Sequence, residues 1–154
     1  MLIIIAFLML VADPTQAATD PPPFSAVTAG YVALSVADLD ASAEWYRTKL
    51  SLRVVKERGT SPDGKATATI LAGTGLIVEL IHHVDATPHP AAAAHLVRGF
   101  FKAGIVVNDL DAALRELERR HVTIRFRPFT DEALGYRTFA ITDNEGNILQ
   151  FFGK

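Results

Sequence analysis

Glu79 and His83 stand four residues apart in LIVELIHH, a spacing that puts a carboxylate and an imidazole on one face of an extended strand. Both are donors for a divalent ion, but Ile81 lies between them on that face, so a shared ion would require a bent strand. The simpler expectation is a strand-end histidine facing water. Arg125 and Arg127 flank Phe126 and could recognise an anion together with Arg137, although solvated arginines that protect a sheet edge are the simpler expectation. His89 and His95 have no ligand spacing, and His121 follows a helical pattern whose end would attract it. With no cysteine, disulfides, thiolate nucleophiles and sulfur-ligated zinc are excluded. No serine sits in G-x-S-x-G, and no glycine pattern suggests a dinucleotide or phosphate loop.

These residues must be positioned by a chain of 154 residues, 49% hydrophobic and 21% charged, which suits one compact domain or two small halves sharing a core. A net charge of -2 with interspersed signs gives no footprint for nucleic acid and favours a small organic partner.

The organisation comes from an internal repeat. YVALSVADLDAS from Tyr31 aligns with KAGIVVNDLDAA from Lys102 at an offset of 71 residues, and GTGLIVELI aligns with NEGNILQFF at the same offset, which reads as gapless. In each copy an apolar strand is followed by Asp38 or Asp109, a carboxylate placed to accept from free N–H groups at a helix start. Leu39, Ala43, Tyr46 and Leu50 form the apolar stripe of the first helix, and Leu110, Leu114 and Leu117 that of the second. Arg115, Glu116, Glu118 and Arg119 form a solvated face. Three strands follow each helix: LRVVKERG, ATATILAG and LIVELIHH, then VTIRFRPF, GYRTFAITD and NILQFFG. A short helix is expected after Pro90 in the joining segment.

The fold class is therefore α+β: two tandem βαβββ units forming paired curved mixed sheets around a cup, their apolar faces burying each other. The units span 30–83 and 101–153 within a domain of 30–153. Ahead of it, MLIIIAFLMLVA and the small residues after it read as a secretory signal over 1–18, followed by a proline-rich spacer over 19–29. The apolar run is shorter than the roughly 20 residues of a membrane span, so no stable span is expected and the location is periplasmic or extracellular.

The segments VALSVADLDASAEWY and TDNEGNILQFF resemble the vicinal oxygen chelate superfamily, the glyoxalase I, bleomycin-resistance and extradiol-dioxygenase group, over Gly30 to Phe152. The resemblance implies a glyoxalase-like domain and allows a homodimer, because units of this group pair within or between chains. It also implies metal ligands at the start of the first strand and the end of the last strand in each unit. Those positions are Tyr31, Glu79, Lys102 and Gln150, and only Glu79 is a residue type the group prefers there. An ammonium is a ligand only after losing a proton near pH 10.4, and an amide offers only a neutral oxygen.

The expected cofactor is therefore none, with a divalent metal disfavoured. Lys102 would take the place of a cation and pair with Glu79, while Tyr31 and Gln150 supply neutral hydrogen bonds to a ligand. The leading expectation is a metal-independent protein that binds a small organic molecule through Tyr31, Glu79, Lys102 and Gln150. The alternative is a glyoxalase-like lyase or isomerase in which Glu79 moves a proton and Lys102 or Tyr31 stabilises an enolate oxygen. A structural or interaction protein is the third reading.

Overall fold

A computed structural model describes residues 29–87 and 100–154. The leader, the spacer up to residue 28, His89, His95 and the helix expected after Pro90 lie outside the described residues. The first unit runs β1 (Gly30–Ser35), α1 (Leu39–Leu50), β2 (Arg53–Thr60), β3 (Ala66–Gly73) and β4 (Leu76–His83). The second runs β5 (Ala103–Val106), α2 (Leu110–Arg119), β6 (Thr123–Asp131), β7 (Tyr136–Thr142) and β8 (Ile148–Gly153). Among the described residues no helix is long and apolar enough to cross a membrane.

Each unit is a four-stranded mixed sheet, ordered β1-β4-β3-β2 and β5-β8-β7-β6. The first and last strands of each unit pair in parallel and the rest antiparallel. Both helices start where expected: Asp38 Oδ1 accepts from Ala41 N at 3.0 Å, and Asp109 Oδ1 from Ala112 N at 2.8 Å.

The expected curved cup is not formed. Neither sheet is closed or strongly curled, although the buried apolar residues of the two units form one continuous cluster. Each sheet is covered by its own unit's helix, α1 on β2, β3 and β4, and α2 on β7 and β8. The physical reason is in the strand alternation. In the first sheet Leu34, Leu71, Val78 and Leu80 are buried on one face with Leu39 and Tyr46 of α1, while Tyr31, Ala33, Ser35 and Glu79 alternate onto the other. Once a helix covers the one strongly apolar face, little drives two sheets to close on each other. In the second sheet Phe139 and Phe151 stack with centroids 5.1 Å apart, and Ile141, Leu149, Leu110 and Leu117 complete that core.

The repeat is also not gapless. Val78 and Leu149, on the last strands, keep the offset of 71, but Ser51 and His121, the left-handed residues that end the two helices at φ 57 and 56, are 70 apart. The residue lost there returns in the final turn, which spans 73–76 in the first unit and 143–147 in the second.

That longer turn joins the halves. Tyr46 OH donates to the buried carboxylate of Asp143 at 2.8 Å, and Asn144 Nδ2 donates to Ser42 Oγ at 2.9 Å. Glu145 Oε1 accepts from the backbone N–H groups of Ala37 at 3.0 Å and Asp38 at 3.3 Å, ahead of α1. Burial and the Asp143 charge both push the Tyr46 phenol far above its ordinary pKa, so it remains a donor.

Candidate functional site

Tyr31 and Glu79 belong to neighbouring parallel strands and lie on the sheet face that α1 leaves uncovered. The Tyr31 hydroxyl donates to Glu79 Oε2. Ala33 and Ile70 are the cross-strand neighbours of Glu79, and Ile77 that of Tyr31, so the polar pair stands among small and aliphatic side chains. Tyr31 is 58% exposed and Glu79 half-buried, which leaves the pair accessible from water. The hydrogen bond to Glu79 raises the phenol pKa above its ordinary value, with smaller contributions from desolvation and the carboxylate charge.

The equivalent positions in the second unit differ. Lys102 lies just ahead of β5 and is exposed, its ammonium 6.0 Å from the centre of the Phe101 ring. It makes no ion pair with Glu79 among the described residues. Gln150 is on β8, only 2% exposed. Its Nε2 donates to Thr138 Oγ1 at 2.8 Å, and that hydroxyl donates to Phe151 O at 2.6 Å. Because the Thr138 proton is committed to Phe151, the hydroxyl oxygen must accept, which fixes the Gln150 amide with its nitrogen toward Thr138. Gln150 Oε1 is then a buried acceptor without a partner among the described residues. Leaving such an atom unpaired costs about 1–3 kcal/mol, so it marks a place where a donor from a ligand or water would be favoured.

The set does not fit a divalent ion of the kind the fold group implies. Glu79 is the only carboxylate and accepts from a phenol, Lys102 is an amine lying ahead of β5 and away from Glu79, and the Gln150 oxygen is enclosed. Among the described residues no three histidine, cysteine, aspartate or glutamate side chains come together. The other candidates are held locally. His83 Nδ1 accepts from Asp85 N at 3.1 Å, and His82 Nδ1 lies 3.2 Å from Val36 O. Arg137 makes two bonds of 3.0 Å to Asp111, and Arg127 pairs with Glu118, so two of the three arginines considered for anion recognition already hold carboxylates.

Sequence reasoning missed Ser42, Asp143, Asn144 and Glu145, having read NEGN as a tight turn alone. Comparison of the repeats carried the signal: the first unit has G-T-G where the second has D-N-E-G-N. An acidic and amide-rich turn in one copy of a repeat suggests a contact that the other copy lacks.

A family model described as the Glyoxalase/Bleomycin resistance protein/Dioxygenase superfamily matches residues 28–151, and the chain belongs to that family. Among solved structures, SMU.1112c superposes with a TM-score of 0.68 at 21% identity, covering 79% of this chain and 95% of that one. A glyoxalase family protein from Enterococcus faecalis gives 0.67 at 15% identity, covering 84% and 98%. A glyoxylase/bleomycin resistance protein/dioxygenase domain from Frankia sp. EAN1pec gives 0.66 at 20% identity, covering 84% and 97%. At these identities the likeness concerns the fold. Among curated proteins, elongation factor Ts of Cereibacter sphaeroides is 33% identical over 76 residues, which are 49% of this chain. The match spans 26% of that protein's length, too little to carry an activity across.

Proposed function

We propose that this chain is an exported, metal-independent member of its superfamily that binds a small organic molecule at the uncovered face of the first sheet. The observation that carries the reading is the hydrogen bond from Tyr31 to Glu79 within an aliphatic setting. It offers a ligand an acceptor and an exchangeable donor side by side, with apolar area around them for the rest of the molecule. Lys102, exposed just ahead of β5, is the second unit's contribution to ligand contact in this reading. A natural product or antibiotic is the ligand class that family membership suggests, and a homodimer is the assembly, with exposed Phe100 and Phe101 available to it. Export rests on the leader sequence, and N-terminal sequencing of the mature protein tests it: an intact Met1 would argue against cleavage.

The binding test is a calorimetric or thermal-shift screen of aromatic and polyketide-like compounds against the mature chain. A hit that weakens at least tenfold in Tyr31→Phe and Glu79→Gln supports the site. Near one equivalent of tightly held transition metal, found by elemental analysis of protein purified without chelator, would overturn metal independence.

The same hydrogen bond favours a second reading, a lyase or isomerase. On an α-hydroxy carbonyl compound, Glu79 would take the proton from the hydroxyl-bearing carbon while the Tyr31 hydroxyl donates to the developing enediolate oxygen; Glu79 would return that proton to the former carbonyl carbon as the hydroxyl proton passes from one oxygen to the other, leaving the carbonyl on the adjacent carbon. Turnover lost in folded Glu79→Gln supports this reading; turnover unchanged removes it.

A further inference from the structure

The two units differ at one equivalent place, and the difference leaves a cleft. Ahead of α1, the N–H groups of Ala37 and Asp38 are met by the Glu145 carboxylate from the other unit's final turn. Their counterparts ahead of α2 are Asn108 and Asp109, and the counterpart of Glu145 is Thr74, placed by the matching left-handed glycines Gly75 and Gly146 at φ 84 and 87. Thr74 carries no carboxylate, its turn is one residue shorter, and among the described residues the N–H groups of Asn108 and Asp109 have no partner. The polar groups beside the Glu145 contact are replaced too: Ser42 by Ala113 and Tyr46 by Leu117.

What occupies this place is a cavity of about 310 Å³ that opens to solvent. Asn108 and Thr74 line its polar end, and Leu50, Leu52, Leu76 and Phe151 line the remainder, with Val106 at the rim. Its size falls at the lower end of the roughly 300–1,000 Å³ usual for small-molecule pockets. Asn108 lines the cavity and Asp109 follows it at a helix start, a setting that favours an anion, and at the equivalent place of the repeat the chain itself supplies a carboxylate to the Ala37 and Asp38 N–H groups.

We infer that this inter-unit cleft is a second ligand site, taking an aliphatic or aromatic monocarboxylate whose carboxylate binds Asn108 N and Asp109 N as Glu145 binds the opposite pair. The hydrocarbon part lies against Leu50, Leu52 and Leu76. This site is separate from Tyr31 and Glu79 and does not depend on the function proposed for them.

The test titrates octanoate, with 1-octanol as the uncharged control, into isotope-labelled mature protein and follows the backbone amides. Octanoate is expected to shift Asn108 and Asp109 saturably, with half-saturation in about the millimolar range or tighter. Octanol should leave them in place. Asn108→Pro deletes one donor and should weaken binding at least tenfold. Val106→Trp fills the rim from an exposed strand position, so it gives the same information should the proline variant not fold. Equal shifts with octanol, no saturable shift at Asn108 and Asp109, or undiminished binding in folded Val106→Trp would each overturn the inference.

Discussion

Lys49 and Arg120 occupy the same position in the two repeats, and each donates a side-chain hydrogen bond to the other's backbone carbonyl oxygen. Arg120 Nη1 lies 3.1 Å from Lys49 O, 3.2 Å from Thr48 O and 2.6 Å from Ser51 Oγ. A reciprocal contact between equivalent residues places a local twofold axis between the helix ends. Cationic side chains suit those carbonyls, which have no partners within their own helices. The halves are thus pinned at two places, by reciprocal cations at the helix ends and by the Asp143 turn at the helix start.

Tyr46→Phe should destabilise the protein by about 1–3 kcal/mol, because it removes a hydrogen bond to a buried carboxylate and keeps the ring. Urea unfolding measures this. Asp143 retains Asn147 Nδ2 at 2.9 Å and two backbone donors, which holds the loss below that of an isolated buried charge. No change in the unfolding midpoint would argue against the turn as a fastening.

Acid should loosen the contact between the helix ends. Arg119 and then Arg120 hold the Glu116 carboxyl down at about 2, against an ordinary 4.5. A depressed folded pKa contributes stability that is present above about 4.5 and is lost as pH falls toward about 2. Glu116→Gln should flatten the stability profile over that window and leave it unchanged near neutrality in slope. The group is exposed, so the effect should also shrink in high salt.

The Tyr31 phenol should ionise at higher pH than a free tyrosine, observed by ultraviolet absorbance, and Glu79→Ala should bring its titration down. A raised folded pKa means that the stabilising contribution is complete below the unfolded value of 10.0 and is lost as pH rises through the folded one. An unchanged titration in Glu79→Ala would show that the pair does not persist in solution.

Gln150→Leu should leave stability within about 0.5 kcal/mol of the parent or raise it, since it removes an unpaired buried oxygen along with one hydrogen bond. Thr138 keeps its bond to Phe151 O. A loss of several kcal/mol on denaturation would instead indicate that the glutamine is structural.

Much of the architecture was legible because it rests on short-range patterns. Asp38 and Asp109 mark helix starts, and the repeated V-x-D-L-D with its apolar stripes fixes two units of the same order. The cup was not legible, because alternation shows that a strand has an apolar face but not what covers it. Here the nearby helix covers it, a neighbour reached over a shorter loop than the other sheet. At the candidate site, residue types revealed a poor ligand set. Only coordinates show that Tyr31 and Glu79 are bonded, that Gln150 is enclosed, and that Arg137 is already taken by Asp111. The gapless offset concealed two compensating changes, and the second produced the turn with most of the inter-unit polar contacts.

The Asp143 to Asn147 turn has a consequence for how such a molecule can be assembled. Two identical copies of the second half would each present an acidic turn to the other, and two copies of the first half would present none. Either pairing yields faces that are both plugged or both open. Only a pair of unlike halves can keep one of each, and joining them in one chain secures that pairing, an asymmetry of the interface that no symmetric assembly of a single half could encode.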